Sequence, residues 1–193
     1  MIEELVKGNR SVRRFYQDVP VAMETLSWAV DISRYTASAA NLQPLKYIMS
    51  NEAKTNELIF NTLTWAGYLK DWPGPAIGER PAAYIVMLGD TNISRNIICD
   101  HGIAAQTILL ALREKGFGGC ILISIKKEEL REMLEIPDTL EIQMVIAIGK
   151  PKEQIVVTEL DDGASIQYWR DENSVHYVPK RKLNDIIVKK YEK

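Results

Sequence analysis

Three guanidiniums and a hydroxyl stand within five residues near one end of the chain: Arg10, Ser11, Arg13 and Arg14. Arginine presents a planar fork of N–H donors that matches phosphate or carboxylate oxygens. The cluster therefore reads either as a compact anion site or as a solvated basic turn. A second basic pair, Lys180 and Arg181, follows the rigid corner Val178-Pro179 near the other end, with the same two readings. Between them, Ala37-Ser38-Ala39-Ala40-Asn41-Leu42-Gln43-Pro44 joins small residues to two side-chain amides. Each amide offers donors and an acceptor, suited to the alternating edge of a heteroaromatic ring. Asn and Ser are equally welcome in a helix cap and turn.

Other chemistries lack their residues. No Gly-rich loop with Lys-Ser/Thr is present, and Gly116, Gly118 and Gly119 precede a strand instead of opening a helix, so a Rossmann fingerprint is absent. His101 and His176 have no ligand partners nearby in sequence. Cys99 and Cys120 lack metal-ligand spacing and read as structural thiols, which points to a reducing cytoplasm. Lys plus Arg number 24 against 26 Asp plus Glu, a net charge of −2. That balance gives no overall attraction to nucleic acid or to an acidic membrane, so a bound anion needs a local cluster. The apolar runs at 82–89 and 118–124 fall short of the ~20 residues that cross a bilayer. Met1-Ile2-Glu3-Glu4-Leu5 carries acids where a signal peptide would carry bases. A cytoplasmic protein without membrane or nucleic-acid partners is the expectation.

The elements that position these groups follow from periodicity. The 193 residues fit one domain. Helices are expected at 2–7, stopped by Gly8, and at 22–35, where Leu26, Ala29, Val30 and Ser33 share a face. An ordered loop over 36–44 leads to a strand at 45–49 and a helix at 52–63. A breaker-rich loop through Trp72-Pro73-Gly74-Pro75 and Gly78-Glu79-Arg80-Pro81 precedes a buried strand at 82–88. The longest helix is placed at 93–115, with Ile97, Ile103, Ala104, Thr107, Leu110 and Ala111 forming its apolar stripe. Gly116 to Gly119 end it. A strand at 120–125, a helix at 127–134 and a strand at 141–148 complete a sheet flanked by helices, an α/β or α+β arrangement. From Pro151 the chain turns aromatic and aperiodic (Tyr168, Trp169, Tyr177, Tyr191), with a last helix at 183–189. Such a tail cannot bury much against its own neighbours, and its aromatics oppose disorder, so it reads as a segment that embraces a second subunit.

Taken together, Asn9-Arg10-Ser11-Val12-Arg13-Arg14-Phe15, Pro20-Val21 and the 37–44 loop resemble the opening of the nitroreductase family of FMN flavoproteins. The helix through 100–112, Gly116-Phe117-Gly118-Gly119-Cys120, Ile136-Pro137, Gly149-Lys150-Pro151 and Pro179-Lys180-Arg181 continue the pattern over essentially the whole chain. The resemblance implies an α+β fold with a central mixed or antiparallel sheet flanked by helices. It also implies a domain-swapped homodimer in which 151–193 extends over the partner. Two FMN molecules would lie in the interface. By motif position, Arg10 and Ser11 would hold the FMN phosphate with Lys180 and Arg181, and Arg13 would lie near the pyrimidine edge of the ring. Ser38, Ala39, Asn41 and Gln43 would come from the other subunit, and Ile123 and Ser124 would present backbone groups beside the ring.

The implied activity is a ping-pong oxidoreductase: NAD(P)H gives electrons to FMN, and a small-molecule acceptor such as a nitroaromatic or quinone takes them. The protein then positions the cofactor and need supply no nucleophile. Trp65, Tyr68 and Trp72 read either as a roof that stacks on an aromatic acceptor or as plain packing; Lys70 and Arg80 could add polar contacts, and the sequence does not place them. Two departures stand out: Asn9 replaces an arginine common in the family, and Leu45 replaces a usual tryptophan. A flavin-binding protein without turnover, a store or sensor, and a flavin-free interaction module are the alternative readings.

Overall fold

The computed structural model describes residues 1–192, which divide into two units, Met1–Trp65 with Pro73–Lys152 and Ala66–Trp72 with residues 153–192. In the first unit α1 (Ile2–Gly8) leads to a two-residue strand, β1 (Phe15–Tyr16), and to α2 (Met23–Ser33). A single 3-10 turn at Ala39–Asn41 precedes β2 (Leu45–Ser50), α3 (Ala53–Asn61) and β3 (Ala83–Asp90). Then come α4 (Asp100–Glu114), β4 (Gly118–Leu122), α5 (Lys127–Met133) and β5 (Leu140–Pro151).

β5 organises the sheet. β3 runs antiparallel along one edge of it, from Ala83 opposite Ile148 to Asp90 opposite Leu140, with an irregularity after Met87 that leaves Gln143 outside the register. Along its other edge lies β4, Gly118 opposite Gly149, and β1 pairs with its last residues, Phe15 opposite Pro151. β2 closes the order β1-β5-β3-β2 by pairing antiparallel with β3. Side chains alternate across this sheet. Ile85, Met87, Ile146 and Ile148 pack with α2 and α4 through Leu26, Ala29, Ala104, Ile108 and Leu112. α3 packs on β3 and α5, with Ile59 and Leu130 fully buried. Burial on both faces explains the near-continuous apolar run of β3, and each such side chain contributes about 1.5–3 kcal/mol. This is the α+β fold, antiparallel sheet and flanking helices, that the sequence implies.

The largest departure concerns α4, expected from residue 93 and beginning at Asp100. The Asp90 carbonyl accepts from Ile93 N (3.1 Å) and Ser94 N (3.0 Å), and its carboxylate accepts from Asn92 N at 3.0 Å, so the chain turns there. Ile97 packs back on the end of β3: a Cβ on Gly89 would sit 2.2 Å from its Cδ1. The buried stripe of α4 is Ala104, Ala105, Ile108, Leu109, Ala111 and Leu112, while Ile103 is exposed. Ala104 and Ala111 were expected there; the Ile103, Thr107 and Leu110 row sits about one residue further round the helix. At the other end Gly116 takes φ +78, the left-handed cap that stops α4. β4 then runs from Gly118 to Leu122, not 120–125, and Gly119 lies so close to β5 that a Cβ would sit 2.5 Å from the Ala147 carbonyl.

The second unit holds a three-stranded sheet, β6 (Ile155–Glu159), β7 (Trp169–Arg170) and β8 (His176–Lys180), ordered β6-β8-β7. β6 and β8 are parallel; β7 and β8 are antiparallel. Of its described residues only Leu160 and His176 are buried. Glu153 and Arg170 form a shielded ion pair at 2.9 Å, the Arg170 guanidinium lies 4.3 Å above Trp72, and Trp169 stacks on Tyr177. The last helix, α6 (Leu183–Ile186), is one turn and not the 183–189 expected.

Candidate functional site

After α1 the chain passes alongside β4. Ser11 pairs with Gly119 as an isolated parallel bridge, and Val12 N donates to the Gly119 carbonyl at 3.0 Å. Val12 turns inward against Gly118, and Ser11 stays exposed. Arg10 is held by its own helix, Nε donating to the Asn9 carbonyl at 2.6 Å and Nη2 to Val6 O at 2.9 Å. Arg13 Nη1 reaches back to the Ser11 carbonyl at 3.3 Å. Two guanidiniums and a hydroxyl are thereby fixed at the start of β4.

Arg14 leaves the cluster. Its fork grips both oxygens of Glu79, Nε to Oε2 at 2.6 Å and Nη2 to Oε1 at 2.7 Å, and Lys152 Nζ adds a contact at 3.0 Å. Hydrogen bonding from Arg14 holds the Glu79 carboxyl down at about 2. Arg14 therefore serves to tie residues 76–81 to β1 and is removed from the anion site. Asn9, where an arginine is common, is buried. Leu45, where tryptophan is usual, packs partly buried against the main core.

The amide loop is pinned from a place sequence reading overlooked. Asp100, the first residue of α4 and buried, accepts from Ser38 Oγ at 2.5 Å and from Ala39 N at 3.2 Å. The Ser38 hydroxyl in turn accepts from Gln43 N at 2.9 Å. Within this frame Ala40, Asn41 and Gln43 take φ of 49, 54 and 53, left-handed conformations that non-glycine residues adopt only when their surroundings impose them. Gln43 Nε2 donates to Asn41 O at 3.1 Å and Oδ1 at 3.2 Å. The remaining Gln43 Oε1 and Asn41 Nδ2 give an acceptor oxygen and an NH2 donor group on an exposed loop. An acid opening the longest helix was the available signal, since it could accept from a loop.

Ile123 and Ser124 lie just past the end of β4. Ile123 is exposed, while the Ser124 carbonyl accepts from Thr64 N at 3.0 Å. β4 is thus the common element, with Arg10, Ser11 and Arg13 at its start and Ile123 and Ser124 beyond its end. Lys180 ends β8 and Arg181 follows, both exposed in the second unit. Trp65 is buried 5.8 Å from Phe60, whose ring also carries the Arg80 guanidinium at 4.1 Å. Tyr68 meets Tyr168 edge-on at 5.1 Å. Cys120 is buried and Cys99 exposed. Among the described residues no three His, Cys, Asp or Glu side chains gather as metal ligands, and no helix is long and apolar enough to cross a membrane.

Residues 6–150 match the model of the nitroreductase family. A relative from Archaeoglobus fulgidus, provisionally named an NADH dehydrogenase/NAD(P)H nitroreductase, is 26% identical over 167 residues, covering 82% of this chain and 90% of its own. A nitroreductase family protein from Streptococcus pneumoniae superposes with a TM-score of 0.70 at 19% identity, covering 98% of this chain and all of that one. An FMN-dependent nitroreductase from Clostridium difficile superposes with a TM-score of 0.63 at 22% identity, covering 80% of this chain and 89% of that one.

Proposed function

Since the chain belongs to the nitroreductase family and so to a family of oxidoreductases, we propose that it is an FMN-dependent enzyme that takes electrons from NAD(P)H and delivers them to an organic acceptor such as a nitroaromatic or quinone, in a ping-pong cycle. The observation that carries the reading is the bridge between Ser11 and Gly119, which holds a hydroxyl and two guanidiniums at one strand end. This donor set fits a dianionic phosphate: charge-assisted hydrogen bonds offset its desolvation. Bound FMN would supply the redox chemistry, hydride in from the nicotinamide and electrons out to the acceptor.

The chain's residues have the following parts in this reading. Arg10 and Ser11 bind the phosphate, joined by Lys180 and Arg181. Arg13 sets a fixed positive charge beside the pyrimidine edge, where reduction adds negative charge, and so favours the reduced form. Ser38, Ala39, Asn41 and Gln43, held by Asp100, meet the ring from a second copy of the chain, and backbone groups of Ile123 and Ser124 lie on its near side. The tail beyond Pro151 lies over that second copy in a cytoplasmic homodimer. Cofactor binding and dimerisation are then coupled, because a site completed by two chains stabilises the assembled form.

The double variant Arg10→Ala/Arg181→Ala tests the assignment. It is expected to purify colourless and to remain so after incubation with FMN; a yellow, flavin-saturated variant refutes the site. Steady-state NAD(P)H oxidation with added acceptors then separates an enzyme from a flavin store.

A further inference from the structure

Asp100 is a buried carboxylate without a countercharge. It is 4% exposed and forms no ion pair among the described residues. A charge so placed is costly unless hydrogen bonds stabilise it. Both of its oxygens are taken by one loop: Oδ2 accepts from Ser38 Oγ and Oδ1 from Ala39 N. A carboxylate only accepts, so it meets two donors at once. An amide of the same shape meets one and turns its NH2 towards the other.

Core packing does not account for this arrangement. Residues 39–43 are all exposed, yet Ala40, Asn41 and Gln43 hold left-handed φ. Strained backbone of this kind persists only where its surroundings over-determine it, and it clusters at ligand sites. The frame therefore serves what the loop presents. The Ser38 hydroxyl places its proton on Asp100 and a lone pair on Gln43 N, and Ala39 N is likewise occupied. Outward there remain Gln43 Oε1 and Asn41 Nδ2, whose side chains are joined by Gln43 Nε2 donating to Asn41 Oδ1 at 3.2 Å.

We propose that Asp100 and Ser38 are positioning residues of the flavin site. Without touching the cofactor, they set its affinity by holding 40–43 in the conformation from which Asn41 and Gln43 meet the ring. This rests on the reading of the chain as an FMN protein, and it refines the part of Ser38, whose hydroxyl acts through the frame. Once the frame is lost, the loop must be ordered by the cofactor itself. If the competent conformer falls to about one part in ten, the apparent dissociation constant rises about tenfold.

Fluorescence titration of FMN into the purified full-length protein and its variants tests this. Asp100→Asn keeps the volume and removes one acceptor oxygen. Ser38→Ala removes the hydroxyl at a half-buried loop position and leaves the core intact. Ser38→Thr keeps the hydroxyl on extended backbone (φ −129, ψ 140), which a β-branched residue adopts readily. Asp100→Asn and Ser38→Ala should each weaken FMN binding by about tenfold. The double variant should bind no more weakly than the worse single one, because both act through one frame. Ser38→Thr should bind as the parent does. Hydrogen exchange at Gln43 N, measured without added FMN, should accelerate in both weakened variants. Parent affinity in a folded Asp100→Asn or in Ser38→Ala, losses that multiply in the double variant, or a Ser38→Thr no better than Ser38→Ala overturns the proposal. The Ser38 pair decides by itself should Asp100→Asn fail to fold. A parent chain that takes up no FMN refutes instead the redox reading beneath the proposal, so the two failures are told apart.

Discussion

β3 and β6 are both runs of aliphatic and β-branched residues, Ala-Tyr-Ile-Val-Met-Leu-Gly against Ile-Val-Val-Thr, yet their surroundings differ sharply. Every residue of β3 from Ala83 to Gly89 is buried, whereas β6 has no buried residue at all. The first unit is held by side chains from helices on both faces of a five-stranded sheet. The second is held by a shielded ion pair, Glu153 with Arg170, and by ring contacts, Trp169 stacked on Tyr177 and Tyr68 edge-on to Tyr168. Strand-forming composition is thus common to both regions, and a hydrophobic core belongs to one. A sheet without its own core depends on charge and aromatic contacts, and Val157 within it is exposed.

The contrast can be broken in graded steps. Ile146→Ala removes a fully buried side chain from the middle of β5 and is expected to cost about 4 kcal/mol, read as a lowered urea midpoint. In the second unit the largest effect should come from Glu153→Gln, which removes the carboxylate charge that faces the shielded Arg170 guanidinium. About 3 kcal/mol is expected, the low end for a broken buried pair, read as faster limited proteolysis after residue 153. Protection equal to that of the unaltered chain would mean the ion pair does not hold the unit.

Asp100→Ala takes two hydrogen bonds from the 38–43 loop and should cost about 2 kcal/mol. Because the left-handed residues then lose their frame, hydrogen exchange at Ala39 and Gln43 should accelerate; unchanged exchange would refute the pinning role. Glu79 sharpens the comparison through pH. Its carboxyl is held at about 2 in the folded chain, below the ordinary 4.5. Its stabilisation is therefore fully present above about 4.5 and is lost as pH falls towards 2. Glu79→Gln should be less stable than the parent by about 2 kcal/mol at neutral pH, allowing for partial exposure, and the gap should close near pH 2. The smallest step is Trp169→Ala, which removes the stack on Tyr177 at about 1 kcal/mol, visible in near-ultraviolet circular dichroism.

Much of the architecture was legible from period alone. β3, α2 and α5 fall within a residue or two of their expected bounds because local pattern and final burial agree in each. α4 was misplaced at its start because residues 93–99 carry an acceptable helical pattern while the Asp90 turn and the packing of Ile97 on Gly89 win locally. Asp100 escaped notice because its partners, Ser38 and Ala39, are some sixty residues away in sequence. Arg14 read as part of an anion cluster for the same reason: Glu79, which neutralises it, is distant in the chain. The tail sheet was invisible because β6 pairs in parallel with β8, about twenty residues on and with β7 between them in sequence, a register no short window encodes. Residue types at a site are local information; what consumes or frees them is long-range.

Absorbance spectroscopy combined with sedimentation of the purified protein addresses the central claim most directly. The account predicts a species with twice the chain mass, showing an oxidised-flavin spectrum at about one FMN per chain. A colourless species with the mass of a single chain, unchanged by added FMN, would contradict it.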